Sequence, residues 1–488
     1  MAELGWLARD RWEGRLFGGA WRDAPATIPV VEPATGRILG QAGAAVPGDV
    51  DAAVAAAVEA QRAWAAAPYP ERTRVLRSAA EAFLAHAEEI AEWSARETGA
   101  VLAAARGQAP VAAEECYQAA QLASMPYGEV LRSAQPRLSL SRRLPVGVVG
   151  VIAPFNAPIL LAMRSVAPAL ALGNAVILKP DPRTAVTGGV VLARVFEEAG
   201  LPEGLLHVLP GGADVGEALV RHPRVPVLAF TGSTEGGRAI AVEAARRLKR
   251  VHLELGGNSA LVVLDDVDLD AAVAAGAVAS FRHQGQICMA AGRHLVHESL
   301  ADDYAAALAE RAASMTVGDP TLPDVAVGPL IDERQRDRVH GLVAASVDGG
   351  ARLAAGGRFD GLFYLPTVLT DVREDTPAYA QEVFGPVAPV RAFHDLDEAA
   401  RMAGDSPYGL SLGILTRDVA RGLALAERVP SGLVHINDQT INDEPVIPFG
   451  GVGDSGNGAR IGGHTANLEA FTEQQWVTVR AEPPRYSN

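Results

Sequence analysis

The chain has 488 residues, too long for one ordinary domain and long enough for two or three with substantial cores. Apolar side chains make up 49% of it and charged ones 21%, the balance of a soluble globular protein and not of a disordered or fibrous one. The formal net charge of -15 disfavours nucleic acid and anionic membrane surfaces as partners.

The N-terminal decapeptide carries acids and no long apolar run, so it does not read as a signal peptide. Residues 16–47, rich in Gly, Pro and short β-type runs, suggest an irregular or hairpin start. Asp49 is expected to cap a helix in which Val50, Val54, Ala57, Val58 and Gln61 follow helical spacing. A second helix is expected over about 71–98, ending at Gly99. A third is expected over 110–123. Cys116 falls there with no local feature that activates a thiol, and is read as structural. Only one other cysteine is present, Cys288. Two cysteines make no disulfide framework and fit a reducing compartment, here the cytoplasm. No Cys/His cluster suggests a metal site.

Residues 136–144 alternate apolar and polar side chains like a strand, as does the isolated piece 475–479. The two could pair with each other or with another subunit. From residue 146 strands and helices alternate. Strands are expected at 146–153, 175–178, 207–209 and 227–230, with helices at 159–172, 187–199, 215–221 and 236–248. The apolar stretch 159–178 is broken by Arg164, Pro168, Gly173 and Asn174, so it reads as helix, turn and strand and not as a membrane span. A second series begins at 261–264 and runs through a helix at 271–280, a strand at 293–297 and a helix at 301–315. The order implies two doubly wound α/β units with mostly parallel sheets, divided near Leu255-Gly256-Gly257. Such sheets bind ligands at the carboxyl ends of their strands.

Four stretches carry chemical promise. Ala153-Pro154-Phe155-Asn156-Ala157-Pro158 and Phe230-Thr231-Gly232-Ser233-Thr234-Glu235-Gly236-Gly237 each follow a strand and precede a helix. Leu253-Glu254-Leu255-Gly256-Gly257-Asn258 comes next, then Gly285-Gln286-Ile287-Cys288. Gly285 permits a close turn, and Gln286 offers polar groups beside a sulfur that attacks as thiolate. Together with Lys179-Pro180, Glu382-Val383-Phe384-Gly385-Pro386 and Pro448-Phe449-Gly450-Gly451, this set resembles the aldehyde dehydrogenase superfamily from about residue 16 to 480. Each motif alone is weak, and their combination in this order is specific.

The resemblance implies a fold of two doubly wound α/β domains and a small β arm. Residues 1–126 and 146–255 would form the dinucleotide-binding domain, 256–445 the catalytic domain, and 127–145 with 470–488 the oligomerisation arm. It implies that Cys288 is the nucleophile, that Asn156 helps to form an oxyanion hole, and that Glu254 is the base that activates water. A carboxylate at position 254 favours hydrolysis to a free acid over transfer to coenzyme A. Ala153, Phe155, Lys179, Gly232, Ser233, Gly237, Glu382 and Phe384 would hold a nicotinamide dinucleotide. Many NAD-preferring members have a glutamate three residues after the lysine, where this chain has Pro182 followed by Arg183. The missing carboxylate and the nearby arginine leave NADP open, while NAD is favoured. His283 stands where many members have asparagine, and is read as a support for the loop.

The strings 153–168, 283–289 and 435–444 are similar to the bacterial branch that acts on benzaldehyde, salicylaldehyde and vanillin. That branch implies an aromatic aldehyde against Phe155, Met163 and Ile287, with Arg164 near the substrate entrance or in an ion pair. An aliphatic or semialdehyde dehydrogenase is the alternative, and a cysteine esterase a more distant one. The arm implies a homodimer or homotetramer.

Overall fold

The computed structural model describes residues 5–484, so the first and last four residues of the segments assigned above to the N-terminal unit and the arm lie outside it. Two seven-stranded sheets dominate. In the first, five parallel strands run in the spatial order Arg250–Glu254, Val227–Thr231, Val148–Ile152, Ala175–Lys179 and Leu206–Val208. Arg15–Phe17 and Trp21–Asp23 extend it as antiparallel edge strands. The expected hairpin start is thus partly this edge and partly the pair Ala26–Val31 and Ile38–Ala44.

The second sheet takes its strands from Ser259 onward. Six are parallel, in the order Thr367–Thr370, Val387–Phe393, Ala291–His297, Ser259–Val263, Ser411–Leu415 and Leu433–Ile436. The antiparallel strand Arg352–Ala355 closes one edge. Ala260 and Val262 pack into one core while Leu261 and Val263 pack into another. Successive strand side chains point to opposite faces, so both faces of this sheet are covered by helices. No helix among the described residues is long and apolar enough to cross a membrane.

Two helix expectations need correction. Asp49 is not the N-cap of its helix. The helix is Pro47–Ala66, and Asp49 sits in its first turn, where its carboxylate accepts the Val46 N–H at 2.8 Å. Proline fits the first helical turn because its missing N–H is not needed there. The single helix expected over 71–98 is two, Tyr69–Ala85 and Ala87–Thr98, broken at His86. Its end is as expected, with Gly99 in the left-handed region at φ 77°.

The two stray strands meet within one chain. Leu138–Pro145 and Thr472–Val479 pair antiparallel in continuous register, and Gly128–Val130 lies on the other side of the first. This small sheet exposes Tyr127, Val130, Leu138, Trp476 and Val479.

Candidate active site

The first sheet reverses its winding between Val148–Ile152 and Val227–Thr231. A crevice opens where successive connections depart to opposite sides, at the carboxyl ends of those strands. Those ends carry Ala153 to Asn156 and Gly232 to Ser233. Their neighbours end in Lys179 and Glu254, in register with Ile152 and Thr231. Four predicted site loops are therefore brought together by strand pairing.

The second half of the site is the loop after helix Leu269–Phe281. His283, Gln284 and Gly285 all have positive φ, at 51°, 56° and 65°. Side chains disfavour that region, so the loop must be held from outside. His283 Nε2 pairs with the Asn156 carbonyl at 2.8 Å, and Gln284 Nε2 donates to the Gly99 carbonyl at 2.6 Å. The Ile331 N–H donates to Gln286 Oε1 at 3.1 Å. A β-carbon on Gly285 would meet the Gly385 carbonyl oxygen at 2.1 Å, so only glycine fits. His283 thus ties this loop to the backbone of the Asn156 loop.

Asn156 and Glu254 reach this loop from the first sheet. Asn156 Nδ2 donates to the Gln286 carbonyl at 2.9 Å, two residues before Cys288. An amide has two such hydrogens, and this bond uses one. A β-carbon on Gly257 would lie 2.4 Å from the Cys288 carbonyl oxygen, so the chain after Glu254 runs against the cysteine backbone. Cys288 is half-buried, and its thiol is pushed up to about 12 by burial and by the negative charges of Glu382, Glu254 and Asp443. A hydrogen bond from the Met289 N–H opposes this. Glu254 is buried, and neither carboxylate oxygen has a partner among the described residues. Burial pushes its carboxyl well above the ordinary range, against the pull of Arg164 and Arg460.

The residues expected to hold a dinucleotide fit one. Lys179 is only 8% exposed, and among the described residues its Nζ donates only to the Pro180 carbonyl, at 3.4 Å. A buried ammonium without a carboxylate partner is suited to an incoming hydroxyl or phosphate. Ser233 caps helix Thr234–Ala245 through the Gly236 N–H, leaving the helix N-terminus facing the crevice loops. Gly232 N–H is tied to the Glu254 carbonyl, and Gly237 packs against Leu255. Glu382 accepts the Gly257 N–H at 3.0 Å. Phe384 stands edge-on to Phe155, with ring centroids 5.8 Å apart. Ala153 is buried, its N–H on the Lys179 carbonyl.

Arg183 is not free for a 2′-phosphate. It pairs with Asp181 and Asp332, both at 2.8 Å, and lies 4.2 Å over the Phe155 ring.

The substrate candidates divide. Ile287 packs against a small apolar cluster of Met289, Leu410, Leu433 and Phe449, together with Cys288, Ile441 and Ile447. Met163 does not belong with it. It is fully buried in the core of the first sheet, because its face of helix Pro158–Ala171 is turned inward. The two residues of that helix that are not buried are Leu160 and Leu161. Arg164 is buried as an internal ion pair with Glu115 and Asp443, and its guanidinium lies 4.7 Å from the Phe449 ring. Ile441, Ile447 and Phe449, which complete this cluster, are not among the residues expected above to meet the substrate. The one available signal was their apolar character in a polar loop beside Pro448-Phe449-Gly450-Gly451.

Comparisons with known proteins agree with this geometry. The family profile described as "Aldehyde dehydrogenase family" matches residues 21–477. The chain is 60% identical to a vanillin dehydrogenase of Amycolatopsis sp., over 99% of this chain and 100% of that one. It is 51% identical to a benzaldehyde dehydrogenase [NAD(+)] of Pseudomonas putida, over 97% and 98%. Among solved structures, the NAD+ complex of an aldehyde dehydrogenase from Bacillus cereus superposes with a TM-score of 0.93 at 32% identity, covering 96% and 97% of the two chains. With a family match over almost its whole length and site loops that converge in the family's order, this chain belongs to the aldehyde dehydrogenase family.

Proposed function

We propose that the protein oxidises an aromatic aldehyde to the carboxylic acid through a thioester on Cys288, using NAD in preference to NADP. The observation that carries this reading is Glu254, a buried carboxylate with no hydrogen-bond partner among the described residues, at a strand end whose following chain runs against the Cys288 backbone. Such a group is costly to fold around and is suited to a base that waits for water.

In this reading the Cys288 sulfur, once deprotonated, bonds to the aldehyde carbon, and the carbonyl oxygen becomes an oxyanion. The second N–H of Asn156 and the Cys288 N–H, which meets no acceptor among the described residues, receive that oxyanion. The nicotinamide supplies the hydride acceptor. Lys179, Ser233 and Glu382 would hold the dinucleotide, and Phe155 and Phe384 would flank it. Glu254 then takes a proton from water, whose oxygen attacks the thioester carbon. The C–S bond breaks and the acid leaves, and the proton held by Glu254 passes to the sulfur, restoring the thiol and the base. The apolar walls Ile287, Ile441, Ile447 and Phe449 support an aromatic ring over a charged or betaine-type substrate. The occupied ion pairs of Arg183 support NAD over NADP.

The same reading assigns residues 1–126 and 146–255 to dinucleotide binding and 256–445 to catalysis. Segments 127–145 and 470–488 would join subunits into a dimer or tetramer, supported by the exposed apolar side chains of the small sheet. Two unpaired cysteines support a cytoplasmic setting. A panel of aromatic and aliphatic aldehydes, each assayed with NAD and NADP, tests the function. Benzaldehyde and vanillin with NAD should give the highest kcat/KM. A strong preference for short aliphatic aldehydes or semialdehydes would overturn the aromatic assignment.

A further inference from the structure

Glu254 needs a counter-charge if it is to ionise in its buried position, and two arginines bear on it. Arg164, on helix Pro158–Ala171, is already matched by Glu115 and Asp443. Arg460 differs. Its Nη1 donates only to the carbonyls of Gly451, at 2.9 Å, and Ala459, at 3.1 Å, and it has no carboxylate partner among the described residues. The segment that carries it wraps the end of strand Arg250–Glu254. The Leu255 N–H donates to the Ser455 carbonyl at 3.0 Å, and Glu254 forms an isolated bridge with Gly456.

Gly450 lies beside both side chains. A β-carbon there would lie 2.9 Å from Glu254 Oε1 and 2.9 Å from Arg460 Nη1. The two atoms are thus separated by less than the sum of those distances, with no side chain from position 450 between them. An opposite charge at such a separation favours the ionised carboxylate. The remaining groups that face Glu254 are Asp443, on the loop after strand Leu433–Ile436, and the Cys288 thiol. Neither supplies positive charge.

We propose that Arg460 is a positioning residue that acts through Glu254. Its guanidinium, which has no carboxylate partner among the described residues, lies beside Glu254 at Gly450 and favours the ionised form of the base that thioester hydrolysis needs. This rests on the reading of Glu254 as the base. It assigns a catalytic consequence to a residue that touches neither substrate nor dinucleotide in that reading.

The test is the pH dependence of deacylation, measured in the full-length enzyme with benzaldehyde and NAD as the slow phase after the burst of reduced cofactor. In Arg460→Gln the acid limb should move to higher pH. Deacylation at pH 6.5 should fall by about tenfold for each unit of displacement and recover at alkaline pH. Arg460→Lys, which keeps the charge, should restore the limb. Asp443→Asn, which removes a negative charge, should move it to lower pH, and Arg460→Met carries the test if Arg460→Gln does not fold. An equal loss at every pH without rescue by lysine would mean a merely structural arginine and would overturn the proposal, as would an unmoved limb in either variant. Glu254→Gln run in parallel separates the two readings. If it stalls deacylation while Arg460→Gln leaves the limb in place, only the role of Arg460 falls. If it turns over normally, the base assignment falls first.

Discussion

Glu97 and Glu254 are both buried carboxylates, and their surroundings are opposite. Glu97, in helix Ala87–Thr98, accepts the Val186 and Thr187 N–H groups, at 2.9 and 2.6 Å, and the Thr187 hydroxyl. Burial raises it to about 7 in spite of these bonds. Glu254 accepts no bond at all among the described residues. One carboxylate ties a helix to the turn after Lys179 and is spent on structure. The other keeps its lone pairs uncommitted at a cost to folding, and that cost is the mark of a group reserved for a reaction partner.

This contrast can be broken from either side. Glu254→Gln should lower steady-state turnover by about 10²- to 10⁴-fold, the usual worth of a positioned base. Its melting temperature should stay the same or rise, because an unsatisfied buried acid is removed. A clear fall in melting temperature would show that Glu254 is structural after all. Asn156→Ala, which removes the proposed oxyanion donor, should slow the burst of reduced cofactor by about 10²- to 10³-fold, read by stopped flow.

Glu97→Ala should do the reverse of Glu254→Gln. It leaves three donors without an acceptor and should cost on the order of 3 kcal/mol in denaturant unfolding, with activity per folded molecule close to that of the parent. The smallest effect concerns the thiol. With Cys288 pushed up to about 12, alkylation by iodoacetamide should climb with pH, by about tenfold per unit through the neutral and alkaline range, since only the thiolate reacts. Glu382→Gln removes one of the charges that hold the thiol up, and should speed alkylation at fixed pH. A plateau near pH 7 would contradict this.

The parts legible in the sequence are those encoded by period and order. Strands such as 175–178 and 227–230 announce themselves as short apolar runs, and the chain just after them carries the residues that strand pairing brings to one edge. Cys288, Asn156 and Glu254 are legible as candidates because their loops fall in the family's order. Helical spacing groups Met163 with its neighbours on one face, but it cannot say whether that face meets the core or the crevice, and it meets the core. The walls Ile441, Ile447 and Phe449 come from irregular chain with no period to read. The lack of partners at Glu254, the spare charge of Arg460 and the engaged state of Arg183 exist only once distant segments are folded together. Likewise, the break at His86 interrupts a sequence whose helical spacing is otherwise continuous.

The account turns most directly on the fate of the acyl group when the base is removed. Glu254→Gln mixed with benzaldehyde and NAD should release close to one equivalent of reduced cofactor per subunit and then stall. Intact-mass and peptide analysis should find a benzoyl thioester on Cys288, absent from Cys288→Ala. Undiminished steady-state turnover in Glu254→Gln, or an acyl group found on any other residue, would contradict it.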